Sequence, residues 1–529
     1  MAGRRVSGLR PVAAGGQGPA RAGAGAVSRA LACGVARVAA PAAAASLLAV
    51  QAPAQAQMRI EPTFSASLTL TDNRDLGSTN RKADAILQFG PGLNVRSANG
   101  PLQGNLSVVF NETLYARDSS RNTLQTSLAG VFRLEGVPRQ AWIDGSASVS
   151  RQSISAFGLQ SSSPTQVNAN TSQVTTLMLA PTLAGRIAGL VDAQARVAWT
   201  TSSSSGTSVG DTDSVAGTLS LGRQLGLLGI GLNVGHLVSG PRGAPKTTQD
   251  TAVGTASFVP DPELRLSLRR GWEKDKFGST LDTSSSFWGY GVDWFPTVRT
   301  SLSLQADRRF FGNSHAFTLT HRLARSVWSY TDSRALSGGD LLNTDARSLL
   351  DRYQQAYGEC MLAFGQNPQA TPLCEALARA SVGLDPTGKG GFLNSAQSIQ
   401  RSQVFSVALS GVRTTLTLAA TRTLSQQLQG VSYASGDLSL VGRVRQYGVT
   451  ASVGHRLTPT ATLTLTAGDQ KTSDSGPLAG NDLRTFTAAV SETLTQGVTG
   501  MLLVRHSRFA SRSNPYTESA IVGSIGMTF

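Results

Sequence analysis

Ile521-Val-Gly-Ser-Ile525-Gly-Met527-Thr-Phe529 alternates large apolar residues with small or polar ones. Side chains on a strand point to opposite faces at alternate positions, so Ile521, Ile525, Met527 and Phe529 share one face. A terminal strand of a soluble sheet would read the same way, and the other end of the chain separates the two readings. Arg4, Arg5, Arg10, Arg21, Arg29 and Arg37 precede any acidic residue. The apolar run Val38 to Val50 follows, and then Gln51-Ala-Pro-Ala-Gln-Ala-Gln57, with small residues at Ala54 and Ala56. That order is expected of an export signal over residues 1–57, cleaved near Ala56. An arginine-rich, acid-free leader also fits a mitochondrial transit peptide, but the Ala-x-Ala site and the strand pattern favour bacterial export. Cys33 precedes the apolar run, so Leu31-Ala-Cys33 is a poor lipoprotein box.

The formal charge of the 529-residue chain is +15. The leader holds six arginines and no acid, which leaves +9 beyond it. The positive charge is spread singly through alternating segments rather than clustered, which argues against nucleic acid as a partner. It suits a surface facing lipopolysaccharide, or a pore for anions. Beyond the leader no window approaches 18 consecutive apolar residues, so no membrane-spanning helix is expected. Abundant Ser, Thr, Gly, Leu and Val with few charges fits a sheet that has lipid on one face and water on the other.

Segments of about ten residues repeat this alternation. In Leu102 to Phe110, Leu106, Val108 and Phe110 share a face opposite Asn105 and Ser107; Phe405, Val407 and Leu409 oppose Ser406, Ala408 and Ser410; Ala461 to Ala467 alternates almost throughout. Short turns are expected at Glu135–Pro138, Ala188–Leu190, Pro260–Pro262, Phe295–Thr297, Leu457–Pro459 and Thr495–Gly497. Longer polar links fall between them at 72–82, 152–173, 200–213, 240–250, 273–286 and 470–482. Alternating short turns and long loops are the rhythm of a transmembrane, antiparallel, up-and-down β-barrel. The reading is an all-β barrel over residues 58–529 with about 22 strands, within a range of roughly 18 to 24. Both ends then lie on the short-turn side, and a lumen remains that side chains alone cannot fill. Tyr115, Trp142, Trp199, Trp272, Trp288, Tyr290, Trp294 and Trp328 are expected to form interfacial girdles.

The pattern breaks over 340–397. There Leu349, Leu350, Tyr353, Tyr357, Met361 and Phe364 recur at helical spacing, and a second short helix is expected after Pro372. This helical insert belongs on the long-loop side, outside the barrel or folded into the lumen as a constriction. Cys360 and Cys374 lie one in each helix and are expected to form a disulfide in an oxidising compartment. No metal-ligand spacing, catalytic constellation or cofactor motif is present: His236, His315, His321, His455 and His506 are isolated. Lone histidines such as His321 and His506 read as rim or lumen residues. Arg265, Arg269, Arg308, Arg322, Arg422, Arg456 and Arg505 lie inside strands. Arginine on a lipid face costs about 2 to 4 kcal/mol at the midplane. Those deep in a strand are therefore expected in the lumen, favouring anions or pairing with lumenal carboxylates; contact with lipid phosphates at the rim is the other reading.

Two resemblances extend this reading. The apolar row ending in Ile525, Met527 and Phe529 resembles the sorting signal that barrel-assembly machinery reads on bacterial outer-membrane proteins. Glu61 to Leu76, an opening strand that ends in Thr71-Asp72-Asn73, and Ser410-Gly-Val-Arg-Thr-Thr-Leu-Thr-Leu418 together resemble the outer-membrane proteins associated with the PEP-CTERM and exosortase system. The opening strand departs from that family in carrying Leu70 where an aromatic is expected. The resemblance implies an exopolysaccharide context, with periplasmic polysaccharide-export proteins as partners, and brings no catalytic residue. The expected function is a passive outer-membrane conduit for exopolysaccharide or its accompanying surface system. A general diffusion porin, an outer-membrane enzyme and a surface scaffold are the alternatives.

Overall fold

The computed structural model describes residues 58–163, 166, 168–206, 211–242, 245–278, 281–336, 392–394, 397–428, 436–474 and 480–529. The expected signal segment 1–57 and both cysteines of the expected disulfide, Cys360 and Cys374, lie outside the described residues, as does nearly all of the expected helical insert.

The strands are β1 (Met58–Thr71), β2 (Asp84–Ser97), β3 (Leu102–Tyr115), β4 (Thr123–Val137), β5 (Ala141–Ser153), β6 (Thr171–Ile187), β7 (Val191–Ser204), β8 (Thr212–Leu225), β9 (Leu228–Pro241), β10 (Thr247–Asp261) and β11 (Leu264–Phe277). They continue as β12 (Leu281–Thr297), β13 (Thr300–Arg309), β14 (Gly312–Leu323), β15 (Ser326–Leu336), β16 (Ser398–Ser410), β17 (Thr414–Gln427), β18 (Arg443–Arg456), β19 (Ala461–Asp474), β20 (Asn481–Thr495), β21 (Val498–Ala510) and β22 (Tyr516–Thr528). A five-residue helix, α1 (Asp437–Val441), precedes β18. Each strand pairs antiparallel with its neighbours in sequence, and β1 pairs with β22, so 22 strands form one closed barrel. Closure leaves no sheet edge with unpaired backbone groups. No described helix is long and apolar enough to cross a membrane.

The register explains the sequence pattern. Directly opposed residues of an antiparallel pair point to the same side. Leu70 opposes Ile521 and Ala66 opposes Ile525 across the closing seam, so the apolar row of β22 continues round the barrel. Leu68, Leu179, Ile230, Leu268, Val449, Leu465 and Leu502 all stand exposed on this outer face. Trp199, Trp272, Trp288, Tyr290, Trp294 and Trp328 join them there. Tyr115 and Trp142 do not. Tyr115 is buried, and Trp142 turns inward, where its indole donates to Asp144. A polar partner inside the barrel outweighs the interfacial preference of that ring.

Short turns gather at one end of the strands. Gly226 and Gly497 take positive φ there, as the tightest of these hairpins demand. Strands β11 and β12 reach Phe277 and resume at Leu281, well inside the link expected over 273–286. The ladder there outlives the apolar alternation, because Lys274 and Lys276 face out while Glu273 and Asp275 face in. Both faces are polar, and no hydrophobic period marks the strand.

Phe529 is exposed, and its amide donates to Pro62 O at 3.0 Å, extending the closing seam by one residue. Phe529→Asp puts a charge at the end of the apolar row. The expected outcome is a large loss of folded, heat-modifiable barrel in isolated membranes; wild-type levels in a gel-shift assay would contradict it.

Candidate functional site: the occluded lumen

Two walls of the inward face differ in chemistry. On β14 to β20 it is built from hydroxyls and amides: Thr318, Thr331, Ser402, Thr417, Thr421, Gln446, Thr450, Thr464, Thr466, Gln470 and Thr487 lie at inward register positions. The only inward charges among the described side chains of these strands are Arg322 and Arg456, at the short-turn rim. The wall on β11 to β13 is ionic. Arg269 Nη1 donates to Asp307 at 2.9 and 3.2 Å. Arg309 meets Glu273 at 2.7 Å with both side chains fully buried, and Glu273 also accepts from Ser285 and from the amide of Phe310. Gly289 allows this packing, since a Cβ there would lie 1.9 Å from Asp307 Oδ1.

Of the seven arginines expected in the lumen, Arg265, Arg269, Arg322, Arg456 and Arg505 face inward. Arg308 and Arg422 face outward, opposite Trp288 and Tyr447. The Arg422 guanidinium lies 5.7 Å from the Tyr447 ring centroid. The cost of an outward arginine falls to about 0 to 1 kcal/mol near the interface, which removes the reason to bury it. Arg505 is neutralised by Glu518 at 2.9 Å, and Arg269 by Asp307. The five histidines face outward rather than into the lumen. Four hydrogen-bond the residue directly across the ladder: His236 to Asp250, His321 to Thr300, His455 to Thr414 and His506 to Ser519. His315 reaches Asp332 at 3.1 Å.

The long-loop end of the lumen is crossed by the link between β5 and β6. Tyr516 donates its hydroxyl to Gln160 O at 2.7 Å, and Ser162 meets Ser507 at 2.5 Å. Gln166 Nε2 donates to Glu518 at 3.2 Å and to Asn73 O at 3.3 Å. A few strands along the ring, Ser155 Oγ and the Ala156 amide each donate to Asp437 of α1 at 2.7 Å, and Asn481 at the start of β20 donates to Ala156 O at 2.9 Å. Burial raises the Asp437 carboxyl above its usual range, and these two donors pull it partly back. Ala156, Leu438 and Val444 form a small apolar cluster with Phe157 and Phe392. Asn170 braces the link from within, accepting from the Ser155 amide and donating to Ser155 O and Leu159 O. Gly158 allows that contact, since a Cβ there would lie 2.3 Å from the Asn170 amide.

The 340–397 insert, expected from sequence either outside the barrel or in the lumen as a constriction, lies almost wholly outside the described residues. The β5–β6 link, which the sequence shows only as a polar connection, crosses the long-loop end of the lumen. Its polar composition reads as an ordinary outer loop, and its partners lie hundreds of residues away. Of the insert, the described Phe392 and Leu393 lie beside this link, with the Leu393 amide donating to Ser153 O at 2.9 Å.

Asp72 and Asn73 anchor the same end. Asp72 accepts from the Ser519 amide at 2.7 Å, and Thr71 Oγ1 donates to Glu518 at 3.0 Å. Asn73, fully buried, donates to Gly77 O and Thr517 O and accepts from the Gly77 amide. Arg74 follows with carboxylates of Asp84, Asp75 and Asp118 around it. This segment is thus a structural clasp across the β1–β22 seam.

Beneath the crossing link lies a cavity of about 590 Å³. Gln88, Asn111, Gln125 and Gln152 line one side, and Thr421, Gln446, Thr450 and Thr485 the other. Such groups both donate and accept hydrogen bonds without carrying charge.

No family profile matches the chain, and neither does any curated protein. Solved structures align with it over most of its length at low similarity. The siderophore receptor PirA from Pseudomonas aeruginosa is 10% identical, covering 90% of this chain and 81% of that one, with a TM-score of 0.42. The FrpB iron transporter from Neisseria meningitidis is 11% identical, covering 89% and 81%, with a TM-score of 0.46. OprD from Pseudomonas aeruginosa is 8% identical, covering 90% and 99%, with a TM-score of 0.32. The fold assignment rests on the strand pairing itself: a closed, 22-stranded antiparallel barrel.

Proposed function

We propose that this chain is a passive, non-enzymatic outer-membrane conduit for an uncharged, hydroxyl-rich polymer, an exopolysaccharide. The observation that carries the reading is the inward wall of β14 to β20, where hydroxyls and amides predominate and the described side chains carry charge only at the short-turn end. A sugar chain slides best along many exchangeable hydrogen bonds of similar strength. Fixed charges would hold counter-ions and ordered water that a neutral polymer would have to displace. The exposed apolar belt on the other face supports a lipid environment. Pairing of Arg269 and Arg505 with carboxylates leaves Arg265, Arg322 and Arg456 to set any anion preference, so a weak preference is expected.

Deleting the gene in the native host is expected to reduce surface exopolysaccharide and raise the periplasmic pool, with the wild-type gene restoring both. An unchanged distribution of polymer would overturn the reading.

A further inference from the structure

The outer wall carries a basic arc that the conduit reading does not use. Arg334, Arg401, Arg422, Arg445, Arg484 and Arg508 lie on β15, β16, β17, β18, β20 and β21, near the long-loop ends, at outward register positions. Arg334 opposes Arg401 directly across the ladder, and Arg484 opposes Arg508. Like charges so placed repel and destabilise a strand pair. Acid relieves only part of this, since Asp482 and Asp469 lie 3.1 and 3.7 Å from Arg484. Asp332 is already held by Arg401 at 2.6 Å and by His315 at 3.1 Å, and the outward positions of β16, β17 and β18 carry no acid. Arg445 and Arg508 make no ion pair among the described residues. The other half of the ring differs: outward positions toward the long-loop ends of β3, β8 and β10 hold Glu112, Asp213 and Asp250.

We propose that this arc binds the phosphate groups of a phosphorylated glycolipid in the outer leaflet, the lipid A portion of lipopolysaccharide. Guanidinium forks match phosphate oxygens in pairs, and an anion set between opposed arginines converts their repulsion into attraction. The occupant is a lipid because the surface has two parts. Directly below the arginines the same strands expose Phe405, Leu418 and Val449, an apolar wall for acyl chains. An acidic protein or a free anion would use the charge and leave that wall unmatched. Tyr447, exposed under the Arg422 guanidinium, marks the boundary between the two parts.

The test uses full-length barrel stripped of lipid in detergent, titrated with bis-phosphorylated lipid A, dephosphorylated lipid A and inorganic pyrophosphate, and read by native mass spectrometry. The expected result is lipid A binding at least tenfold tighter than either of the other two. The triple variant Arg422→Gln, Arg445→Gln, Arg508→Gln should lose most of that preference while its heat-modifiability is unchanged. None of the three residues holds an ion pair or a lumenal contact, and the wild-type comparison of the probes stands without the variant. Equal affinity for dephosphorylated lipid A would overturn the role of the phosphates. Equal affinity for pyrophosphate would overturn the lipid. Full binding by a folded triple variant would overturn the site. None of these outcomes bears on the conduit reading.

Discussion

Replacing residues 155–169 with a short Gly-Ser linker is expected to raise single-channel conductance several-fold in planar bilayers. The link reaches from β5 and β6 to Tyr516, Ser507 and Glu518 and, a few strands along the ring, to Asp437 and Asn481. A 22-stranded barrel is wide enough to need such an obstruction. Asp437→Ala removes only the two contacts to Ser155 and Ala156 and should give a smaller rise, or brief openings. The Asp437 carboxyl is held above its usual pKa by burial. Its contribution to the closed form is therefore complete below the ordinary carboxylate range and falls as pH rises through the raised value. Conductance of the wild type should accordingly be lower in acid than at neutral pH. Equal conductance with and without the link would show that it does not limit passage.

The second large effect concerns the ionic wall. Glu273→Ala leaves the Arg309 guanidinium buried without its carboxylate, because both side chains are inaccessible to solvent. Breaking such a pair from one side costs about 3 to 5 kcal/mol, whereas replacing both partners with apolar residues of similar volume is often close to neutral. The neighbouring rings of Phe287 and Phe311, 6.0 and 5.1 Å from the guanidinium, would pack well against an apolar substitute. Urea unfolding of vesicle-inserted barrel should show a marked loss for Glu273→Ala and a much smaller one for Glu273→Leu with Arg309→Met. Equal losses in both would contradict the account of the pair.

Much of the barrel was legible because its two faces meet different solvents. Leu102 to Phe110 and Ala461 to Ala467 alternate strongly enough to fix both the strand and its orientation. Where both faces are polar, as at Glu273 to Lys276, the period vanishes although the ladder continues, and the strand reads as loop. Arginine was a weaker guide to the lumen, since Arg308 and Arg422 lie where an outward charge costs little. Least legible was the occlusion. Gln166, Glu518, Tyr516 and Asp437 are ordinary polar residues in sequence, and only ring closure brings them into contact. Asp72 and Asn73 stood out in the sequence only at the end of the opening strand, and their role as a clasp depends on Thr517 and Ser519 at the far end of the chain.

A neutral hydroxyl and amide wall should conduct uncharged sugar chains. Liposome swelling with the linker variant tests it most directly, using neutral and sulfated oligosaccharides of matched length. Rapid entry of the neutral series is expected, with the sulfated series slower or at most equal. Exclusion of neutral oligosaccharides from liposomes that still admit small ions through the barrel would contradict it.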